Sequence, residues 1–203
     1  MKNLLFLSAL IFVLAGCAGK EFYEAEDTVG DYDNTKASLN GDIVSINKDG
    51  ATLDSGEIIT KRGVSKFKIP EGYTFLNISD DVVISSNYKD KVLLDKKEIE
   101  VGGVVVAATL KGNKLALLFS NNSIQLYDTD SEKVTLKEYF THSFVNDTRI
   151  ANPYFMSNII LFPTLDGKIV VISEASNQVI RNIVVDADGQ FNNIIFLDVI
   201  NDT

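Results

Sequence analysis

The chain has 203 residues, 45% of them hydrophobic and 23% charged, which is the composition of a globular protein rather than a disordered one. Its formal net charge is −9, so the surface repels phosphate backbones, which argues against nucleic acid as a partner. The same charge gives no attraction to anionic lipid, so any membrane attachment must have another source.

Residues 1–16 have the pattern of a secretory signal peptide. Lys2 supplies a positive charge, and an apolar stretch then runs from Leu4 to Leu14 with Ser8 as its only polar residue. That stretch is too short to cross about 30 Å of hydrocarbon, which takes about 20 residues in a helix. We therefore expect a leader rather than a membrane-spanning anchor.

The leader ends in Leu14-Ala15-Gly16-Cys17, which contains the only cysteine of the chain. This ending resembles the bacterial lipobox, so Cys17 is the predicted lipidation site, and palmitate-type acyl chains there would anchor the protein stably. The alternative is an ordinary secretory signal with an incidental cysteine. By resemblance to lipoproteins that are sorted in two-membrane bacteria, Ala18 at the next position favours the outer membrane. We expect the anchored protein to face the periplasm.

Residues 17–38 are acidic and polar, without a recurring apolar period, and predict a flexible tether between the lipid and the fold. An acidic binding segment is the alternative interpretation of this stretch.

Residues 39–203 consist of short β-branched runs separated by Asn, Asp, Gly and Lys, and no segment keeps helical spacing over three turns. Lys-Gly-Asn-Lys at 111–114, Asn-Asn-Ser at 121–123 and Asp-Gly-Lys at 166–168 are hairpin turn signals, because they supply residues that tolerate positive φ. Many short strands with tight turns predict an all-β sandwich, barrel or propeller. The predicted strands are 42–46, 64–68, 73–78, 82–86, 91–95, 103–110, 114–119, 123–128, 133–138, 158–164, 168–173, 178–185 and 193–199.

Internal repeats favour the β-propeller. At a constant offset of 45 residues, 115–134 is similar to 160–179, with Ile124 on Ile169 and Leu126 on Val171. That offset is close to the ~40 residues of a four-stranded antiparallel blade. The stretch 41–46 resembles 167–172, which predicts a third strand of a blade there.

A second internal repeat pairs residues 75–81 with 196–202. It ends where a strand equivalent to 82–84 should begin. Residues 39–203 hold about four blades, and four is the low end of the range for closed propellers. We therefore expect an incomplete ring, the N-terminal part of a longer propeller.

A pattern from Ala151-Asn152-Pro153-Tyr154 through the turn at 164–168 to a further strand resembles the pyrroloquinoline-quinone-type propeller repeat. Together with the lipobox, the chain is similar to the BamB-like lipoproteins of the outer-membrane β-barrel assembly machinery. The resemblance covers 103–140 and 151–186 well. It departs at 177–181, where the repeat usually has Gly-x-x-x-Trp, so aliphatic contacts are expected between these blades.

The resemblance implies a non-catalytic protein-binding scaffold that contacts the central barrel-assembly protein, with membrane attachment through lipid and no cofactor. The loop residues that match the family's contact positions are Phe144, Val145 and Arg149, before Pro153, and Asp186 and Asp188 in the next loop. An Arg flanked by apolar side chains on a loop is a reasonable binding centre. The alternative is that Phe144 and Val145 fill a blade core while Arg149 is solvated.

Enzymatic and metal chemistry is not indicated. His142 is the only histidine, no G-x-S-x-G motif occurs, and a zinc site needs three or four suitable ligands. The stretch 186–189 begins like a calcium loop but lacks the later ligands, including the bidentate Glu. Two other functions stay open: a propeller that binds a small ligand or sugar in its central funnel, and a surface adhesin or host-protein binder.

Overall fold

A computed structural model describes residues 38–60, 63–143, 149–185 and 193–199, and the account below concerns these residues. The strands lie in one compact unit, Leu39–Thr203. Across these ranges the secondary structure is entirely β, in sixteen strands. No helix in the described ranges is long and apolar enough to cross a membrane.

The strands form four sheets, each of four consecutive antiparallel strands, which are the blades of a propeller. Blade 1 contains β1 (Ile43–Ile46), β2 (Gly50–Leu53), β3 (Glu57–Thr60) and β4 (Gly63–Lys68). Blade 2 contains β5 (Thr74–Ser79), β6 (Val82–Ser86), β7 (Lys91–Leu94) and β8 (Lys97–Glu100). Blade 3 contains β9 (Val105–Lys111), β10 (Lys114–Phe119), β11 (Ser123–Asp128) and β12 (Lys133–Tyr139). Blade 4 contains β13 (Tyr154–Met156), β14 (Ile159–Pro163), β15 (Lys168–Ser173) and β16 (Gln178–Val184).

The hydrophobic core lies between the blades, and β10 shows how the sequence produces it. After Lys114 this strand is a continuous apolar run, and successive side chains of a strand point to opposite faces. Leu115 and Leu117 belong to the core between blades 2 and 3, whereas Ala116 and Leu118 belong to the core between blades 3 and 4. The second strand of blade 3 is therefore apolar from Leu115 to Phe119, because both faces of this blade are covered.

Three such cores are present in the described residues, one between each pair of successive blades. The core between blades 1 and 2 contains Ile58 and Ile69 against Phe75 and Val83. No buried apolar cluster joins blade 4 to blade 1 within these ranges. Four blades with three cores between them are compatible with the predicted incomplete ring.

The 45-residue repeat is confirmed in the strand pairing. It places β11 on β15, and the bulge between Leu126 and Tyr127 recurs between Val171 and Ile172. The predicted turns are also confirmed, because Gly112, Asn122 and Gly167 all have positive φ. Aliphatic packing at the outer strand is confirmed by Val179, which lies against the core between blades 3 and 4.

The turn between β14 and β15 holds blades 3 and 4 together through polar contacts. Thr164 Oγ1 donates to Asp166 Oδ1 at 2.7 Å, and Asn122 Nδ2 of blade 3 donates to the same oxygen at 3.0 Å. Burial alone would raise the pKa of Asp166, but hydrogen bonds from Lys168, Thr164 and Asn122 outweigh it, so the pKa lies below its ordinary value. The carboxylate stays charged at neutral pH and fixes the turn.

Three sequence-based expectations were wrong. Residues 41–46 were expected to form a third strand, but β1 is the first strand of its sheet and β3 is the third. Residues 193–199 were expected to form a strand, but no strand pairing is formed there. Four strands were not predicted, namely β2, β3, β8 and β13, and these are only three or four residues long.

Candidate functional site

The first strands of the blades line the propeller axis, where they enclose a cavity of about 470 Å³. Its walls come from all four blades: β1 and Asn47 of blade 1, the start of β5 and Tyr88 of blade 2, β9 of blade 3, and the segment before β13 of blade 4. The lining residues are Val44, Ser45, Ile46, Asn47, Thr74, Phe75, Leu76, Tyr88, Val106, Arg149, Ile150 and Asn152. We call this cavity and its rim the axial funnel.

Exposed apolar side chains surround the mouth of the axial funnel. Val44 is 62% exposed, Ile46 68% and Tyr88 46%. Although the Tyr88 side chain is about half exposed, desolvation raises the pKa of its hydroxyl above the ordinary value, so the hydroxyl is neutral at physiological pH. The mouth therefore combines apolar area with a neutral phenol and an arginine, Arg149, and this composition suits a protein partner.

Arg149 lies in an exposed segment that is fixed at its backbone. Its carbonyl oxygen accepts a hydrogen bond from Asn193 Nδ2 at 2.8 Å. Two residues later, the Ala151 amide donates to the Ile194 carbonyl at 2.9 Å. These bonds fix the backbone of the segment that precedes β13. They therefore also fix the position of the Arg149 backbone, from which its side chain projects.

Asn152 forms the floor of the axial funnel and connects all four blades. It precedes β13 of blade 4, and its Oδ1 accepts from the Ala108 amide of blade 3 at 3.1 Å. Its Nδ2 donates to the Leu76 carbonyl of blade 2 at 3.1 Å and to Asp49 Oδ2 of blade 1 at 2.8 Å. One side chain thus supplies a hydrogen-bond partner to the Ala108 amide and to the Asp49 carboxylate, and it shares the Leu76 carbonyl with Asn47.

Two further asparagines join successive blades in the same way. Asn47 Nδ2 of blade 1 lies 3.0 Å from the Leu76 carbonyl, to which it donates. Asn77 Nδ2 of blade 2 donates to the Ala108 carbonyl of blade 3 at 3.0 Å. The axis is therefore held by primary amides, whose donor and acceptor atoms can serve two strands at once.

A second cavity of about 270 Å³ lies on the other side of Asn152, near the ends of the inner strands. Lys48 lines it and donates to the Leu197 carbonyl, and its Nζ is 3.6 Å from the Asp198 carboxylate. The same ammonium lies 4.8 Å from the centre of the Phe196 ring, in cation–π range. These contacts place residues 196–198 across this end of the axis.

The structure describes one of the predicted binding residues, Arg149, and places it at the rim of the axial funnel. The other predicted site residues lie outside the described ranges: Cys17, Phe144, Val145, Asp186 and Asp188. In the described part of the chain, no group of three or more His, Cys, Asp or Glu side chains is arranged to hold a metal ion. Sequence reasoning missed Asn47, Asn77 and Asn152, for which the only signal was Asn152 directly before Pro153.

Comparison with known proteins gives relatives and a fold. No family model matches the chain. The plasminogen-binding protein PgbB from two strains of Helicobacter pylori is 27% and 26% identical to it. Each alignment covers 97% of this chain and 46% of PgbB, so the chain spans about half the length of the curated relatives it matches.

Among solved structures, BamB from Moraxella catarrhalis superposes with a TM-score of 0.58 at 18% identity. The match covers 82% of this chain and 59% of that BamB. The chain has a BamB-like propeller fold. At this identity the likeness concerns the fold alone, and the role of the protein must be argued from its own surface.

Proposed function

We propose that the chain is a non-catalytic, protein-binding propeller of the cell envelope, and that it acts as a scaffold in outer-membrane β-barrel assembly. The observation that carries the proposal is the axial funnel, whose mouth exposes Val44, Ile46 and Tyr88 beside Arg149. Apolar area gives binding energy when it is desolvated, and an arginine adds directional hydrogen bonds to carboxylates or carbonyls of a partner. The PgbB relatives are named as protein binders too, which supports the general class.

Charge reversal at the funnel rim tests this proposal. Arg149→Glu is expected to weaken capture of the central barrel-assembly protein from detergent-solubilised membranes about tenfold or more, because it replaces a donor with a repelling carboxylate. Lys137→Glu is the matched control, since it reverses an exposed charge on β12, away from the funnel. Quantitative pull-down with both variants measures the effect, and thermal melting checks that Arg149→Glu stays folded. Equal capture by wild type and Arg149→Glu would dismiss the funnel rim as the contact.

A second candidate is a binder of host protein at the cell surface, which the name of the PgbB relatives favours. Binding of purified plasminogen to intact cells, lost on deletion of this protein, would support that function. Depletion that lowers the abundance of many outer-membrane barrels would instead support the scaffold. Protease treatment of intact cells separates the two, because only an outward-facing molecule is cleaved.

For either function we propose attachment to the outer membrane through acylated Cys17. Cys17→Ala is expected to abolish labelling of the protein by radioactive palmitate, because the acyl groups of a lipoprotein are carried by that residue. Ala18→Ser is the control and should keep the label, since it changes the neighbouring position but retains the thiol. Undiminished labelling of Cys17→Ala would refute the lipobox.

A further inference from the structure

The second cavity, on the other side of Asn152 from the axial funnel, has a largely polar lining. All four blades contribute to it, and its polar lining includes Asp49, Asn77, Ser79, Thr109, Asn152 and Tyr154. Its volume of about 270 Å³ is well above the roughly 10–15 Å³ that a single water molecule requires. It lies just below the about 300 Å³ of the smallest typical ligand pockets, so it has room for a ligand of one ring.

Asn77 brings an unused hydrogen-bond acceptor to this cavity. Its side chain is only 7% exposed. Its Nδ2 donates to the Ala108 carbonyl and to Thr109 Oγ1, both at 3.0 Å, whereas no described residue donates to its Oδ1. Leaving a buried acceptor without a donor is unfavourable, so a donor from within the cavity is expected to complete this amide.

Three other lining side chains keep hydrogen-bonding capacity that the described residues do not use. Asp49 accepts from Asn152 at Oδ2, which leaves its Oδ1 without a described donor. Ser79 Oγ accepts from the Leu110 amide at 2.8 Å, and its hydroxyl hydrogen has no acceptor among the described residues. The Tyr154 hydroxyl likewise makes no hydrogen bond to a described residue. Together with the Asn77 oxygen, the cavity therefore offers two acceptors and two hydroxyl donors.

The charges of the lining favour a neutral ligand. Lys48 donates to the Leu197 carbonyl, and its Nζ lies 3.6 Å from the carboxylate of Asp198, so its ammonium is already engaged within the protein. Asp49 adds a second carboxylate to the lining. An anion would meet the two carboxylates and a cation would meet the ammonium, so the cavity is suited to neither.

We propose that the second cavity is a binding site for a neutral carbohydrate of one sugar ring. Each hydroxyl of a sugar both donates and accepts, which matches the unused donors and acceptors of the cavity. The C–H face of the ring is apolar and can pack on the Tyr154 ring and on Pro153, which also line the cavity. This site is separate from the rim of the axial funnel and goes beyond the proposed function.

Calorimetric titration of the full chain, in a detergent without a sugar headgroup, tests the site with glucose, galactose and N-acetylglucosamine. At least one of them is expected to bind with a dissociation constant of about 1 mM or below, as a ligand of this size allows. Tyr154→Phe should weaken that binding about three- to tenfold, because it removes one hydroxyl and keeps the ring. Tyr127→Phe is the matched control, since Tyr127 is also half-buried on a strand but does not line this cavity, and it should bind as wild type does.

Asp49→Asn is a second variant, which removes the charge but keeps an oxygen that can accept from Asn152. It should weaken binding about tenfold, because a charged acceptor is lost, and Asp130→Asn in the exposed turn after β11 should have no effect. Thermal melting checks that both cavity variants are folded. No heat of binding with any of the three sugars would overturn the proposal, since the cavity would then hold water only. Unchanged affinity in either cavity variant would overturn it too, because the sugar would bind elsewhere. The titration contains no protein partner, so its outcome does not depend on the proposed function.

Discussion

Phe162→Ala is expected to lower the free energy of unfolding by about 3–5 kcal/mol, the range for removing a fully buried phenylalanine from a core. Phe162 lies on β14 and is completely buried. It packs in the cluster that also contains Leu118 and Ile124 of blade 3, so its loss opens a cavity between two blades. Urea denaturation followed by circular dichroism measures the change.

Tyr139→Ala is the control for this substitution. Tyr139 also carries an aromatic ring on a strand, but it is 64% exposed at the end of β12. Its removal is expected to change stability by roughly 0.5 kcal/mol, the usual size of a surface effect. If both variants lost the same stability, the packing between blades 3 and 4 would not be the main source of the core energy.

Much of the fold could be predicted because the propeller repeats a local pattern. β10, β11 and β15 were predicted with the bounds that the structure has, since each is a β-branched or leucine-rich run next to a turn with Gly or Asn. The 45-residue offset then identified equivalent strands of two blades. These features depend on neighbours in sequence, which a pattern can reveal.

Strand order within a blade and the shortest strands could not be predicted in the same way. The composition of residues 43–46 fits the first, inner strand of a blade as well as the third strand. The pairing that distinguishes these two positions depends on tertiary contacts. β13 has three residues and β2 has four, so neither is long enough to show alternation. The sequence of residues 193–199 is typical of a strand, yet no neighbouring strand pairs with them in the described ranges.

The candidate site was predicted only in part, and for a similar reason. Arg149 was singled out because it lies shortly before Pro153 of a recognisable repeat motif, about one residue from the spacing of the family's contact position. The axial asparagines were not found, because Asn ordinarily indicates a turn. The partners of Asn152 lie 44, 76 and 103 residues away, and only the arrangement of the four blades around the axis brings them together.

Asn152→Ala is expected to lower the free energy of unfolding by about 2–4 kcal/mol, because it removes three hydrogen bonds and leaves polar groups of other blades without partners. The Ala108 amide and the Asp49 carboxylate lose this partner, whereas the Leu76 carbonyl keeps its hydrogen bond from Asn47. This loss of stability is expected to be larger than that from replacing an ordinary polar residue of the surface, because each of the three hydrogen bonds joins blade 4 to a different blade. Chemical denaturation measures it.

Asn158→Ala is the matched control, because Asn158 is an exposed asparagine in the turn after β13 and is expected to change stability by roughly 0.5 kcal/mol or less. A double-mutant cycle between Asn152→Ala and Asp49→Ala should give a coupling of about 1 kcal/mol, since the two side chains are 2.8 Å apart across the axis. Additive losses would mean that blades 1 and 4 are not joined through this pair. The Asn152 side chain would then be held by blades 2 and 3 alone.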